Sequence, residues 1–156
     1  MKAPLTGCCQ CGATRYRVTA EPLLTYACHC HNCQKRTGSA FSLGVIVPVD
    51  TLQVEGELTQ WSRVSDAGAT NTRHSCASCG NIIYGTDDSG FDLAKLQAGT
   101  LDDTSSVEPD VHMWLTSKQP WIELPDGVPG FETQPDDPAE LLQAALDYRA
   151  ARPRNS

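Results

Sequence analysis

Short apolar runs separated by turn-formers fill most of the chain. ATRYRVT (13–19) alternates β-branched and aromatic residues with polar ones, as a half-buried strand does. FSLGVIV (41–47), LQVEG (52–56), LTQW (58–61), NIIYG (81–85), FDLAKLQAG (91–99) and VHMWL (111–115) are similar runs, punctuated by glycine, proline and aspartate. Many short strands and no helical period predict an all-β architecture, a sandwich or folded sheet. Only the tail departs from this. In DDPAELLQAALDYRAA (136–151), Asp137 suits an N-cap, Pro138 the first helical position and Glu140 a capping box, with Leu142, Ala145 and Leu146 as the apolar stripe. This predicts a short C-terminal helix behind an extended connector at 124–135, which contains three prolines. The organisation expected is a β domain over 1–125, followed by connector and helix over 126–156.

Composition narrows the function. The chain has 156 residues, one domain's worth, and 40% of them are hydrophobic, enough for a core. A net charge of −7 and no alternation of basic and aromatic residues argue against nucleic acid as a partner. No basic leader with an apolar run, and no apolar stretch long enough to span a bilayer, point to a soluble, cytoplasmic protein without a membrane partner.

Eight cysteines then need an explanation. They stand at 8, 9, 11, 28, 30, 33, 76 and 79, clustered at chelate spacing, which in a reducing compartment favours metal over disulfides. Cys9-x-Cys11 and Cys76-x2-Cys79 are two bidentate clips, each beside a glycine (Gly12, Gly80) that lets the backbone turn around an ion; together they suit a closed, four-cysteine structural zinc site. Cys28, Cys30 and Cys33 remain as a group of three, the ligand count of a catalytic zinc with one exchangeable position. His29 and His31 alternate with these cysteines, so an extended backbone turns both away from the ion. Cys8, adjacent to Cys9, is left outside either set.

Three thiolates leave a zinc dication net negative and a modest Lewis acid, better suited to capturing a further sulfur ligand than to activating water. The substrate inferred is a small thiol. Gln34, Lys35 and Arg36 follow Cys33 directly, offering an amide and two cations to the carboxylates of such a thiol, with Thr37-Gly38-Ser39 adding hydroxyls. Solvated surface charge explains Lys35 and Arg36 equally well.

GCCQCGATRY, CHCHNCQKRTGSAF, RHSCASCGNIIY, AGTLDD and VHMW with Pro120-Trp121 resemble, in order and separation, the motifs of the glutathione-dependent formaldehyde-activating enzyme family, over about residues 5 to 125. The resemblance implies a tent-like all-β fold of sheets clamped by zinc, with structural zinc at Cys9, Cys11, Cys76 and Cys79 and a second zinc at Cys28, Cys30 and Cys33. It also implies condensation of glutathione with formaldehyde to S-hydroxymethylglutathione, a carbon–sulfur lyase run in reverse. Cys8 and Asn81 depart from the family pattern; the latter position commonly holds threonine or serine. His112, Trp114, Trp121, Asp102 and Asp103 match family positions, yet core aromatics and an aspartate-rich turn account for them. Two other readings stand beside the enzyme: a zinc-stabilised binding module without catalysis, and a redox protein using Cys30/Cys33 or Cys76/Cys79, for which neither pair shows a helix start to lower a thiol pKa.

Overall fold

The computed structural model describes residues 1–65 and 68–152. In chain order its elements are β1 (Leu5–Cys8), β2 (Arg15–Val18), β3 (Leu24–Cys28), α1 (His31–Thr37), β4 (Ser42–Pro48), β5 (Leu52–Glu55), β6 (Leu58–Val64), β7 (Thr70–Cys76), β8 (Ile82–Asp87), β9 (Leu93–Gln97), β10 (Val111–Met113), β11 (Gly130–Phe131) and α2 (Pro138–Ala151). The all-β class expected from the sequence holds, with the C-terminal helix where its cap signals lie: Asp137 accepts a bond from Ala139 N at 2.9 Å and Pro138 opens the helix. None of the described helices is long and apolar enough to cross a membrane.

The described residues divide into two compact units, one formed within residues 1–23 and 45–107, the other within 24–44 and 108–152. In the first, β1, β2 and β5 make an antiparallel sheet with Leu5 opposite Val18 and Tyr16 opposite Val54. A second sheet runs β9-β8-β7-β6, with β6 at its edge. Val18, Val47, Ile83 and Leu96 are fully buried here, each contributing about 1.5–3 kcal/mol of burial.

In the second unit β10 lies parallel to both β3 and β11, with Val111 opposite Tyr26, His112 opposite Ala27 and Met113 opposite Cys28. All five residues of β3 are buried. Such a strand shows no polar alternation, which is why the pattern of the sequence passes over it. Helix α2 packs on β3 and β10, but through a face rotated from the predicted one. Leu141 and Ala145 are buried, whereas Leu146 is 47% exposed. Arg149 continues that line at i+4 and explains the rotation: its guanidinium grips the buried Asp110 with both prongs, at 2.9 and 2.6 Å. Asp110 also accepts from Thr25 N at 2.6 Å, so one carboxylate fastens helix and strand together.

The 111–115 run is shorter than predicted. Trp114 adopts φ 61°, a left-handed conformation that ends β10 and caps a 3-10 turn at Leu115–Ser117.

Candidate functional site

In the first unit the sulfurs of Cys9, Cys11, Cys76 and Cys79 all lie within 4.8 Å of one another. Cys9 and Cys11 are 3.4 Å apart and Cys11 and Cys76 3.9 Å, on either side of the roughly 3.8 Å between sulfurs on a tetrahedral zinc with bonds of about 2.3 Å. The donor set therefore fits that ion. Two similar turns present it. Cys9 N bonds Thr14 O and Gly12 N bonds Cys9 O; Cys76 N bonds Asn81 O and Gly80 N bonds Cys76 O, at 2.9 to 3.0 Å. Gly12 and Gly80 sit at φ +76° and +72°, a region other residues rarely adopt, so each clip depends on its glycine.

Backbone and hydroxyl groups prepare Cys9 and Cys76 for anionic form, whereas Cys11, despite the Ala13 backbone, is pushed up to about 12 by the sulfurs of Cys9 and Cys79. Burial works against ionisation of Cys9, but the Thr14 N–H at 3.2 Å and its Cys11 neighbour hold its pKa below the usual thiol value. Cys76 is held down to about 6, first by the Thr14 side chain and then by the backbone N–H of Cys79. Asn81, one of the two departures from the family pattern, joins the clips: its Oδ1 accepts from Gln10 N at 3.1 Å.

In the second unit Cys28 ends β3, and Cys30 and Cys33 belong to the start of α1, a helix that the sequence reading treats as extended chain. Seven residues without a buried position carry no apolar stripe, so periodicity is silent there. Capping makes the helix. The Cys30 sulfur accepts from Cys33 N at 3.4 Å, Gly38 closes the other end at φ +62°, and Lys35 and Arg36 complement the C-terminal dipole. His31 is thus the first helical residue and exposed. Cys30/Cys33 consequently does have a helix-start setting, contrary to the expectation used against a redox role.

The three sulfurs lie within 4.8 Å of one another, and among the described residues no histidine, aspartate or glutamate completes that group. Their geometry also fits zinc, through a soft and compact donor set. Protonation is unequal. Hydrogen bonds from Cys28 and then Cys30, with the Arg36 charge beside them, hold Cys33 down to about 2, and the same bonds to Cys30 and Cys33 push Cys28 far up.

Side chains from β4, β10 and the following turn hold this cluster. Arg36, one helical turn after Cys33, aims Nη2 at Ser42 Oγ (2.6 Å) and Cys33 Sγ (3.7 Å), while its Nη1 is buried without a partner. Gln34, expected to offer its amide to a ligand, instead donates to the carbonyls of His29 and Ser117 at 2.7 and 2.9 Å and accepts from Gln119 at 3.0 Å. Ser117 Oγ bonds the same His29 carbonyl at 3.0 Å. Lys35 is exposed.

His29 is fully buried and stands outside the sulfur group. Its Nε2 is 3.0 Å from His112 Nδ1, the two rings stacked and His29 also against Phe41. Burial, then His29 and Lys118, bring His112 down to about 4; burial lowers His29 as well. The pair is neutral, with His29 Nδ1 and His112 Nε2 buried and unpartnered.

The remaining candidates lie apart. Cys8, half-buried, sits opposite Arg15 with its sulfur 3.8 Å from Asp102 Oδ1. Asp103 accepts from Ser105 N within its turn. Trp121, expected in the core, is 72% exposed. The Asn81, Gln34–Gln119, Arg36–Ser42 and His29–His112 contacts are missing from the sequence reading. Most of them link residues more than 70 positions apart, and no local spacing signals such a pair.

Known proteins are similar to this chain over much of its length. A protein from Halomonas elongata is 31% identical over 126 residues, covering 77% of this chain and 80% of that protein. One from Penicillium rubens is 35% identical over 146 residues, covering 91% and 70%. Both carry the name of the glutathione-dependent formaldehyde-activating enzyme. A crystal structure of a Rhodobacter sphaeroides protein superposes with a TM-score of 0.49 at 21% identity, over 62% of this chain and 87% of that one. The family model described as glutathione-dependent formaldehyde-activating enzyme matches residues 4–117, spanning both cysteine clusters, and the chain belongs to that family.

Proposed function

We propose that this protein is a zinc-dependent carbon–sulfur lyase acting as a synthase, adding glutathione or a similar small thiol to formaldehyde or a related aldehyde. The observation that carries this reading is the contrast between a sulfur group of four and a sulfur group of three that no further ligand residue joins among the described residues. Cys9, Cys11, Cys76 and Cys79 would hold a structural zinc; Cys28, Cys30 and Cys33 would hold the catalytic one. Such an ion, when bound, supplies a position at which a thiol loses its proton and is kept as the nucleophilic thiolate.

The chain's own residues do the rest. Gln34 and Ser117 fix the His29 carbonyl and with it the link between Cys28 and Cys30. Arg36 stabilises the Cys33 thiolate. Lys35, exposed beside the cluster, meets the carboxylates of the incoming thiol, with Arg36 adding its field. The addition is redox-neutral: a sulfur–carbon bond forms, the carbonyl π pair moves to oxygen, and the thiol's proton ends there. A cytoplasmic setting, rich in reduced thiols, suits the unpaired cysteines. A zinc-stabilised module without catalysis is the alternative, and the helix start at Cys30/Cys33 favours a dithiol redox pair as a third reading.

Cobalt-substituted protein tests this. Titrated glutathione should intensify the sulfur-to-metal charge-transfer band, and formaldehyde should be consumed with thiol. The Lys35→Ala variant should weaken glutathione binding by about 0.5–1.5 kcal/mol while keeping its metal. Two bound metals with a spectrum indifferent to thiol would leave the binding module standing. Activity that persists without metal and follows a Cys30–Cys33 disulfide would favour the redox pair.

A further inference from the structure

Strand β6 is the edge of its sheet and is exposed along nearly its whole length. Its free side can be identified. Ser65 N bonds Ala69 O at 2.8 Å, and Ala77 N bonds Glu57 O at 3.0 Å. In the antiparallel register of β6 and β7 (Leu58 opposite Cys76, Val64 opposite Thr70), these bonds turn the peptide groups of odd-numbered residues toward β7. The N–H and C=O groups of Leu58, Gln60 and Ser62 and the N–H of Val64 therefore line the outer edge, where Val64 O accepts from Arg63 Nε at 3.3 Å. The strand has no proline, no lysine and no bulge in its pairing with β7, and Arg63 is its one charge. Instead the strand exposes Trp61 and Val64, each at 62%.

The sequence of this edge is complementary to itself. Laid antiparallel on a second LTQWSRV about a two-fold axis at Trp61, Leu58 meets Val64, Thr59 meets Arg63 and Gln60 meets Ser62. Apolar residues face apolar ones, polar face polar, and the strand's one charge faces a hydroxyl and not its own copy. Outward-facing residues fall opposite outward-facing residues, so the ladder closes with about six hydrogen bonds besides the Val64 carbonyls that Arg63 holds. Trp61 falls opposite its symmetry mate at a non-hydrogen-bonded position, where side chains approach most closely.

We propose that β6 is a self-association edge, pairing with β6 of a second copy of this chain to continue the sheet across a two-fold axis. An interface of one strand pair and two indoles belongs to the small, transient class, so the dimer should form with a dissociation constant of about 10–500 µM.

Sedimentation equilibrium over a concentration series to about 1 mM should show a 16.9 kDa monomer passing to a dimer. Trp61→Lys and Gln60→Pro, the latter removing an outward donor while sparing the bonds to β7, should each weaken association at least tenfold. Far-UV circular dichroism and metal content should match the wild type. Amide exchange keeps the test decisive if Gln60→Pro folds poorly. In the wild type the Gln60 and Ser62 amides should gain protection as concentration rises, while the Trp61 and Arg63 amides are protected throughout. A monomer at every concentration would overturn the proposal. So would a dimer that survives Trp61→Lys, or one that leaves Gln60 and Ser62 exchanging freely.

Discussion

The two sulfur clusters are built from the same residue type and held by different means. The group of four draws its members from segments 65 residues apart and is shaped by backbone: paired turns, a glycine in each, and peptide N–H groups aimed at sulfur. The group of three spans six consecutive positions and is shaped by side chains, among them Gln34, Arg36 and Ser117. A cage of backbone ties its contents to the fold, because the turns cannot relax without breaking the sheets they close. A site braced by side chains can change its ligands while the strands beneath stay put.

The sharpest way to break this comparison is to remove one sulfur from each group. Cys76→Ser should destabilise the protein by several kcal/mol and yield mostly insoluble chain, whereas Cys28→Ser should move the melting midpoint by less than about 5 °C. Thermal melts beside metal analysis measure this, and equal losses would erase the distinction. A smaller effect asks what secures the second unit, if metal does not. Arg149→Ala leaves Asp110 buried without its cation and should cost about 2–4 kcal/mol in denaturant unfolding; an unchanged midpoint would show that α2 is held by Leu141 and Ala145 alone.

The smallest effect concerns acid. His112 is at about 4 in the fold against 6.5 free, and His29 is shifted the same way, so the unfolded chain takes up these protons first. Their contribution is complete above about pH 6.5 and is lost as pH falls toward 4. His112→Asn should flatten the decline in melting temperature across that window relative to wild type, since thiolate protonation is common to both proteins. Parallel profiles would remove the pair from the acid response.

Legibility in the sequence followed the range of the interactions. Alternating strands such as β2 and β4 and the capped start of α2 were readable because their signals are local. The cysteine spacings were readable for the same reason, as each clip lies within four residues. Strand β3 is uniformly buried and β7, TNTRHSC, is mostly polar, so neither presents a period. Helix α1 rests on a sulfur cap and a glycine stop, which hydrophobic pattern does not register. The orientation of α2 was missed because an arginine, not a leucine, decides it. In the site, the residue types at Gln34 and Arg36 suggested a ligand waiting to be met; their partners, brought in by folding, had already claimed them.

The separation of the clips also sets an order of assembly. A metal captured by Cys28, Cys30 and Cys33 closes a loop of five residues, whereas joining Cys11 to Cys76 closes one of 65, at an entropic cost greater by about 2 kcal/mol. As the chain emerges during synthesis, the group of three is complete long before Cys76 and Cys79 exist. If both groups take up ions, the group of three would therefore fill first, on an unfinished chain, and the group of four last.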